Sequence, residues 1–419
     1  MTSSSFTMPW WREPTKPQWL AFAAAWFGWV LDAFDFTIFL LVMPEIAREF
    51  GVHSLATTSS IALTLVARLV GSFIAGAAAD RWGRKAPLMV SIVWFALCDA
   101  AVAFAPSFGW ILVLRTLFGL GMGAEWTAGT TLAMESWPAR SRGIASGVLQ
   151  GSWAIGYLVA AVAFAIVLPL WGWRGLFILA AAPALLVLPI RAWVPESEEW
   201  KHAQGKRPAP TTLRALAKPN ALAKLAWASG TTALGFGAYY GLTGLYPTLL
   251  KTELAKTDGA IAWLVVIFNL GMLVGSVASG VVAAKRGVRL AIALPAIAFL
   301  PFVPLYVGAV PALLPLGAFA GGVLGVGFVG VVPMLLSDLF DAEVRARFIG
   351  LAYHVGAFFA ALVPMAIAAL ASSAKISLGT SITIVAVACE LALVVLVLAR
   401  RSASRPSSAV VELAMGGLR

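Results

Sequence analysis

The sequence contains little charge. Only 12% of its 419 residues are Asp, Glu, Lys or Arg, whereas 60% are hydrophobic. Soluble domains carry roughly 25% charged residues, so this chain has too few to cover a water-facing surface. Most of its exterior must therefore face lipid, which predicts an integral membrane protein. The net charge of +11 is assigned to short loops on one side of that membrane, and no nucleic-acid partner is expected.

Several functional signals are also missing. The two cysteines, Cys98 and Cys389, both fall in apolar segments, so neither a disulfide framework nor a metal site is expected. The phosphate-binding pattern G-x-x-x-x-G-K-S/T is absent, which argues against the use of ATP. The first 17 residues lack the apolar core of a secretory signal, so the first hydrophobic helix should be retained. No catalytic constellation is found, and we expect neither an enzyme nor a cofactor.

Long apolar segments dominate instead. Twelve of them are long enough to cross a bilayer as helices. They are predicted near residues 19–43, 57–79, 86–105, 110–134, 144–169, 175–194, 223–246, 260–283, 290–308, 313–336, 347–370 and 376–399. The predicted fold class is therefore an all-α integral membrane protein with twelve transmembrane helices.

An internal repeat divides these helices into two related halves. Residues 68–85 form an apolar stretch that ends in a charged turn, and residues 272–289 repeat it in degenerate form. Parallel repeats of this kind are used by secondary transporters, which bind substrate near the membrane midplane between the halves. The predicted units are an N-terminal half, a linker, a C-terminal half and a tail, at residues 1–194, 195–222, 223–400 and 401–419.

The distribution of Lys and Arg predicts the orientation. Most of the 30 basic residues fall in segments on one side of the predicted membrane, the side that carries both chain termini. Positive residues concentrate on the cytoplasmic side of membrane proteins. We therefore expect a multi-pass protein of the bacterial inner membrane with cytoplasmic termini, in contact with lipid and acting as a monomer.

Charged residues inside the predicted spans are candidates for function, because an unpaired charge at mid-depth costs a few kcal/mol or more. Asp32, Asp35 and Glu125 are assigned to proton coupling. Asp32 and Asp35 share a helix face and would repel each other if both were ionised, so this pair is suited to carrying a proton. Arg68 and Arg115 cannot lose their charge, and their planar groups suit a carboxylate substrate. The alternative is that these residues form fixed ion pairs that only hold helices together.

Helix depths predict two layers of charge, Asp35 with Asp99 and Arg115, and Asp32 with Arg68. Asp99 and Glu390 each fit either a functional or a structural role.

Other polar and aromatic residues are expected to complete the substrate site. These candidates are Gln150, Tyr239, Tyr240, Asn269 and His354. Since Tyr239 and Tyr240 are adjacent in a helix, at most one of them is expected to face the cavity.

The charged turn at the end of residues 68–85 is expected to close the cytoplasmic face as a gate. Asp80 should meet a neighbouring helix N-terminus or an arginine. The residues assigned to this gate are Gly76, Asp80, Arg81, Gly83, Arg84 and Lys85.

Three motifs carry a family resemblance. The sequence GAAADRWGRK at residues 76–85 resembles the loop signature of the major facilitator superfamily, and Arg115 with Gly119 and Gly121 resembles its fourth-helix pattern. Pro195-Glu196-Ser197 resembles a further signature of the sixth helix. A narrower resemblance, to sialate:proton symporters and related monocarboxylate permeases, is carried by Gly123-Ala124-Glu125-Trp126, Glu135-Ser136-Trp137-Pro138 and Tyr353-His354-Val355-Gly356-Ala357.

The resemblance implies alternating access in a major facilitator fold and proton-coupled symport of a small organic anion. A sialate-like or monocarboxylate (lactate- or pyruvate-type) substrate is favoured. The sequence L-D-A-F-D-F at residues 31–36 also resembles aromatic-acid symporters, so an aromatic or dicarboxylic acid remains an alternative. A receptor that senses such an acid without transporting it is the alternative from another class.

Overall fold

The computed structural model describes residues 9–52, 54–182, 185, 187–204, 214, 216 and 218–400. Within these residues the regular structure is helical and contains no β-strand. The predicted tail, the first eight residues and residues 205–213, 215 and 217 of the predicted linker lie outside the described residues.

The first half contains long helices with few interruptions. They are α1 (Lys16–Phe50), α2 (Ser54–Trp82), α3 (Lys85–Ala103), α4 (Phe108–Ser136), α5 (Arg142–Ala180) and α6 (Val187–Trp193). Inside α5, Gly172 has a φ of 65°, a conformation that favours glycine. The chain bends there, and residues 173–193 form the sixth span as far as they are described.

A short amphipathic helix follows where the sequence predicted only a linker: α7 (Glu198–Gln204). The second half then contains helices that are more often broken. They are α8 (Ala221–Thr243), α9 (Tyr246–Thr252), α10 (Asp258–Arg286), α11 (Val288–Phe299), α12 (Val303–Tyr306), α13 (Leu314–Ala320), α14 (Val332–Leu339), α15 (Arg345–Ala360), α16 (Val363–Ala374) and α17 (Leu378–Ala399).

The breaks in the second half lie inside single membrane spans. A 3₁₀ turn (Leu300–Phe302) joins α11 to α12. A π-helical stretch (Gly321–Val326) and a 3₁₀ stretch (Gly327–Val331) join α13 to α14. Such irregular turns reduce the regular backbone hydrogen bonding and allow a helix to bend.

Nine helical stretches of the described residues are long and apolar enough to cross a membrane. Helix α1 supplies the first span and α8 the seventh. The sixth span is formed by the described part of residues 173–193. The predicted twelve-helix, all-α membrane fold is therefore confirmed.

Two equivalent helix pairs join the halves, α2 with α15 and α5 with α10. Glycine permits both close approaches. An added Cβ on Gly76 of α2 would lie 2.5 Å from Arg347 Cα, and one on Gly143 of α5 would lie 2.8 Å from the Gly280 carbonyl. Because α10 carries the degenerate copy of α2, the two contacts are related by the pseudo-symmetry that the repeat predicts.

Candidate functional site

A buried ion-pair network joins the halves at one end of the molecule, which we call the gate end. Arg84 binds Glu135 with both arms of its fork, Nη2 to Oε1 at 2.9 Å and Nε to Oε2 at 3.0 Å. From the second half, Arg345 Nη1 reaches the same Glu135 Oε1 at 3.0 Å and also binds Glu199 of α7. Charge on both sides of the interface thus converges on one buried carboxylate.

Asp80 closes the network from the other direction. Its carboxylate accepts hydrogen bonds from the backbone nitrogens of Ala346 at 3.1 Å and Arg347 at 3.3 Å, at the start of α15. The side chain of Arg347 lies 3.2 Å from Asp80 Oδ2, and Arg84 lies 3.3 Å from its Oδ1. The structure confirms the prediction that Asp80 meets a helix N-terminus, and an arginine joins it there.

The linker adds a further contact to this charged turn. Glu196 accepts hydrogen bonds from the backbone nitrogens of Arg84 at 2.9 Å and Lys85 at 3.1 Å. Gly83, at a φ of 99°, leaves the space that the Glu196 carboxylate fills. Arg81 instead points outward, with its guanidinium 5.5 Å from the Trp82 ring centre. Of the predicted gate residues, Arg81 therefore makes the weakest contribution to joining the halves.

A small cavity, which we call the inner chamber, lies between the halves. Six of its lining residues are aromatic and come from both halves. The lining consists of Trp29, Arg68, Gln150, Trp153, Phe236, Tyr239, Tyr240, Met272, Val329, Tyr353 and Ala357.

Arg68 is the single charged residue in the lining that the structure describes. Its Nε and Nη2 are both buried and have no hydrogen-bond partner among the described residues. These two nitrogens form one edge of the guanidinium, the edge that binds a carboxylate with two parallel hydrogen bonds. Trp29 Nε1 is a third buried donor without a partner there, and the Trp29 ring centre lies 5.4 Å from Arg68 Cζ. Buried donors left unpaired are costly, so this arrangement is suited to an incoming anion.

Behind Arg68 lies a pair of carboxyl groups. Asp32 and Glu125 are fully buried side by side, and Arg68 is the cation close to both. Gly28 provides the space for this pair, since its Cα faces Glu125 Oε1 directly. Two carboxyl groups can form a hydrogen bond to each other only when one carries a proton. The arrangement can therefore hold and release a proton next to an anion site.

A second carboxyl pair lies one helical turn along α1, farther from the gate end. Asp35 lies close to Asp99, and Arg115 Nη1 lies 3.2 Å from Asp99 Oδ1. The Arg115 guanidinium is enclosed by the rings of Phe39 and Phe118, at 4.4 and 4.0 Å. This places Asp35, Asp99 and Arg115 in one layer, as the helix depths suggested. Arg115 lies beside the acids and lines neither cavity between the halves, and its role in substrate binding stays a prediction.

A second, larger cavity lies on the side of the chamber away from the gate end, and we call it the outer vestibule. Trp153, Tyr239 and Tyr240 line both cavities and separate them. The prediction that at most one of Tyr239 and Tyr240 faces a cavity is wrong, because both residues line both cavities. Asn269 lines the vestibule, and its side chain donates to the Val265 carbonyl at 2.9 Å.

The remaining predicted site residues occupy different positions. Gln150 lines the inner chamber and accepts a 3.5 Å hydrogen bond from Trp126 Nε1. His354 lies behind the lining, with Nδ1 2.9 Å from the Gly350 carbonyl and its ring against Trp126. Glu390 is buried in α17, away from both cavities.

Sequence reasoning missed three residues that the structure places at key positions. Trp29 and Trp153 are central to the chamber lining, although tryptophans in membrane proteins are generally expected at the lipid interface. Glu135, at the centre of the gate network, entered only as part of a family motif. Its position at the gate end of α4, level with the charged turn, is the signal that could have identified it.

Comparisons with known proteins agree with this architecture. Residues 25–254 match the family model described as Major Facilitator Superfamily. The chain is 32% identical to the sialic acid transporter NanX of Escherichia coli (strain K12), over 93% of this chain and 95% of the relative. It is 30% identical to the cis,cis-muconate transport protein of Acinetobacter baylyi, over 86% of this chain and 89% of the relative.

Solved structures show the same fold. The proton:xylose symporter XylE superimposes with a TM-score of 0.72 at 20% sequence identity, covering 90% of this chain and 94% of that one. Family and relatives are transport proteins and not enzymes. This multi-pass membrane protein therefore belongs to the Major Facilitator Superfamily of transporters.

Proposed function

We propose that the protein is a proton-coupled symporter of a small monocarboxylate that works by alternating access. The observation that carries the proposal is the free edge of Arg68. Arg68 lines the chamber, and two parallel donors of its guanidinium are buried without a described partner beside a pair of carboxyl groups that can share a proton. An anion site and a proton site thus lie in contact inside the cavity between the halves.

The proposed cycle follows from charge balance. With one proton shared between Asp32 and Glu125, the remaining negative charge of the pair balances Arg68. A second proton removes that negative charge and leaves the charge of Arg68 unbalanced, so that its free edge then binds the substrate carboxylate. The loaded cluster is neutral, so burying it while the halves rock costs less than burying an unpaired charge. Asp35 and Asp99 provide a proton step one helical turn nearer the vestibule.

A sialate-like substrate is the second candidate. The relative that is 32% identical over nearly its whole length is a sialic acid transporter, which favours this choice. The muconate transport protein favours an unsaturated acid instead. All of these compounds carry a carboxylate, so each of them could bind to Arg68 in the proposed cycle.

The test is substrate-dependent proton movement in proteoliposomes, reported by a pH-sensitive dye inside the vesicles. The panel of acids is lactate, benzoate, muconate and N-acetylneuraminate, added outside vesicles in a buffered medium. We expect at least one of them to carry protons into the vesicles and lower the internal pH. If every acid that binds fails to move protons, the protein is a receptor and the symporter proposal is wrong.

The Arg68→Lys variant tests the anion site. Lys keeps the charge but loses the two-pronged edge, so we expect affinity for the transported acid to fall about 100-fold. Initial uptake rates over a range of substrate concentrations measure this change. Arg48→Lys, at an exposed position in α1, is the matched control and should transport normally.

A further inference from the structure

We propose that the inner chamber selects a planar, conjugated monocarboxylate, such as an aromatic acid, over polyhydroxylated, saturated or doubly charged acids. This inference rests on the proposed function and adds the substrate class. It depends on the composition of the chamber wall, on which polar groups of the wall are already engaged, and on the number of cations present.

The wall of the chamber is built from aromatic rings supplied by both halves. Trp29 and Trp153 of the first half pack at a centroid distance of 4.9 Å, and Phe236 and Tyr353 of the second half pack at 4.8 Å. Aromatic side chains prefer flat partners in offset or edge-on contact. A planar substrate bound by its carboxylate to Arg68 would therefore contact rings of both halves at once.

The wall of the chamber offers few polar groups besides Arg68. Gln150 is already engaged, because it accepts a hydrogen bond from Trp126 Nε1 at 3.5 Å, and most of the remaining lining is aromatic or aliphatic. A sugar acid brings several hydroxyl groups, each of which needs a partner after it leaves water. Every hydroxyl left unpaired weakens binding by about 10-fold or more, so this wall discriminates against a sialate-like compound.

The charge of the wall limits the substrate to one carboxylate. Arg68 is the cation in the described lining, whereas Arg115 is held by Asp99 outside it. A second carboxylate would enter a ring-lined space without a counter-charge, which is strongly unfavourable. The free donors of Arg68 and Trp29 account for one carboxylate group.

The experiment measures binding to the purified wild-type transporter by displacement of radiolabelled benzoate. Cyclohexanecarboxylate is the matched competitor, because it has the same charge and the same number of carbon atoms but a puckered ring. We expect benzoate to bind about 10-fold more tightly than cyclohexanecarboxylate, from its contacts with two ring faces. Muconate and N-acetylneuraminate should bind more weakly still.

Variants assign the selectivity to the chamber. Trp153→Leu should reduce the preference for benzoate to about 2-fold or less, whereas Trp153→Phe should retain most of it. Trp263→Leu, which removes a lipid-facing tryptophan of α10, is the matched control and should leave the preference unchanged.

Equal affinities for the two ring acids, tighter binding of N-acetylneuraminate, or no binding of benzoate would each overturn the inference. These results are separable from the proposed function. Proton-coupled uptake of N-acetylneuraminate would uphold symport and refute the aromatic chamber. Selective benzoate binding without proton movement would support the aromatic chamber and refute symport.

Discussion

Gly28 determines where the Glu125 carboxyl can lie, and through it the geometry of the inner proton site. A methyl group at this position would occupy the place of Glu125 Oε1, which is the mobile end of a side chain and can move aside. The helix itself tolerates alanine at least as well as glycine. The contact between Glu125 and Asp32 therefore depends on the absence of one methyl group.

The Gly28→Ala variant should consequently fold normally and transport abnormally. We expect a melting temperature within a few degrees of the wild type, but a changed pH dependence of uptake, because Asp32 loses the partner that shares its proton. Gly259→Ala provides the control, since an added Cβ there meets no atom within 4 Å. An unchanged pH profile in Gly28→Ala would remove the Asp32–Glu125 contact from the proton step.

Asp35 permits a test of the second carboxyl pair. Asp35→Asn cannot ionise, so we expect proton-driven accumulation to be lost while exchange of external for internal substrate continues. Accumulation under a pH gradient and counterflow in its absence measure the two activities separately. Asp258→Asn, at an exposed salt bridge with Lys251, should behave like the wild type. Normal accumulation in Asp35→Asn would exclude Asp35 from the proton path.

At the scale of the helices, one acidic residue of α4 connects arginines of both halves at the gate end. Glu135 contacts Arg84 of the first half and Arg345 of the second. Removing one partner from a buried ion-pair network commonly costs about 3 kcal/mol, because the remaining charges stay buried without compensation. The closed gate should therefore be the state that a Glu135 substitution weakens.

We expect Glu135→Gln to increase opening at the gate end by about 100-fold. The reporter is Ser276→Cys in a Cys98→Ala, Cys389→Ala background. Ser276 is buried on α10 where it packs against α5, so the rate at which a maleimide labels this cysteine measures opening. Arg81→Gln removes a charge from the same turn without removing a described ion pair between the halves, and should leave the rate unchanged. Equal labelling rates in the Glu135→Gln and reference proteins would contradict the role of Glu135.

For the molecule as a whole, the proposed cycle predicts electroneutral transport. One proton moves with one monocarboxylate anion, so no net charge crosses the membrane. A net charge of one would change accumulation by about 50-fold at 100 mV. We therefore expect a potassium diffusion potential to leave uptake into proteoliposomes unaltered, whereas a pH gradient drives it. Stimulation by the potential alone would require a different proton stoichiometry.

Local sequence was sufficient to predict much of this architecture. The gate turn was readable because Asp80 and Arg84 are close in sequence, and the spans followed from length and hydropathy. The partners of the acids were not readable. Helical spacing paired Asp32 with Asp35. The structure places Glu125 of α4 beside Asp32 and Asp99 of α3 beside Asp35, because packing between helices decides which buried groups meet.

The chamber could not be predicted for the same reason. Its walls combine Trp29, Trp153 and Tyr353 from three helices distant in sequence, and none of these positions stands out in an apolar segment rich in aromatic residues. The π-helical stretch at Gly321–Val326 did have a local signal, since its segment is rich in glycine, which disfavours a regular helix.

The ion pairs that join the two halves, among the described residues, all lie at the gate end. This asymmetry has a directional consequence. An empty transporter rests mainly with the gate closed, so a ligand arriving from the gate side finds only a small fraction of molecules ready to bind it. Its apparent affinity from that side is reduced in proportion to this fraction. The same chamber should therefore saturate at a lower substrate concentration from the vestibule side than from the gate side.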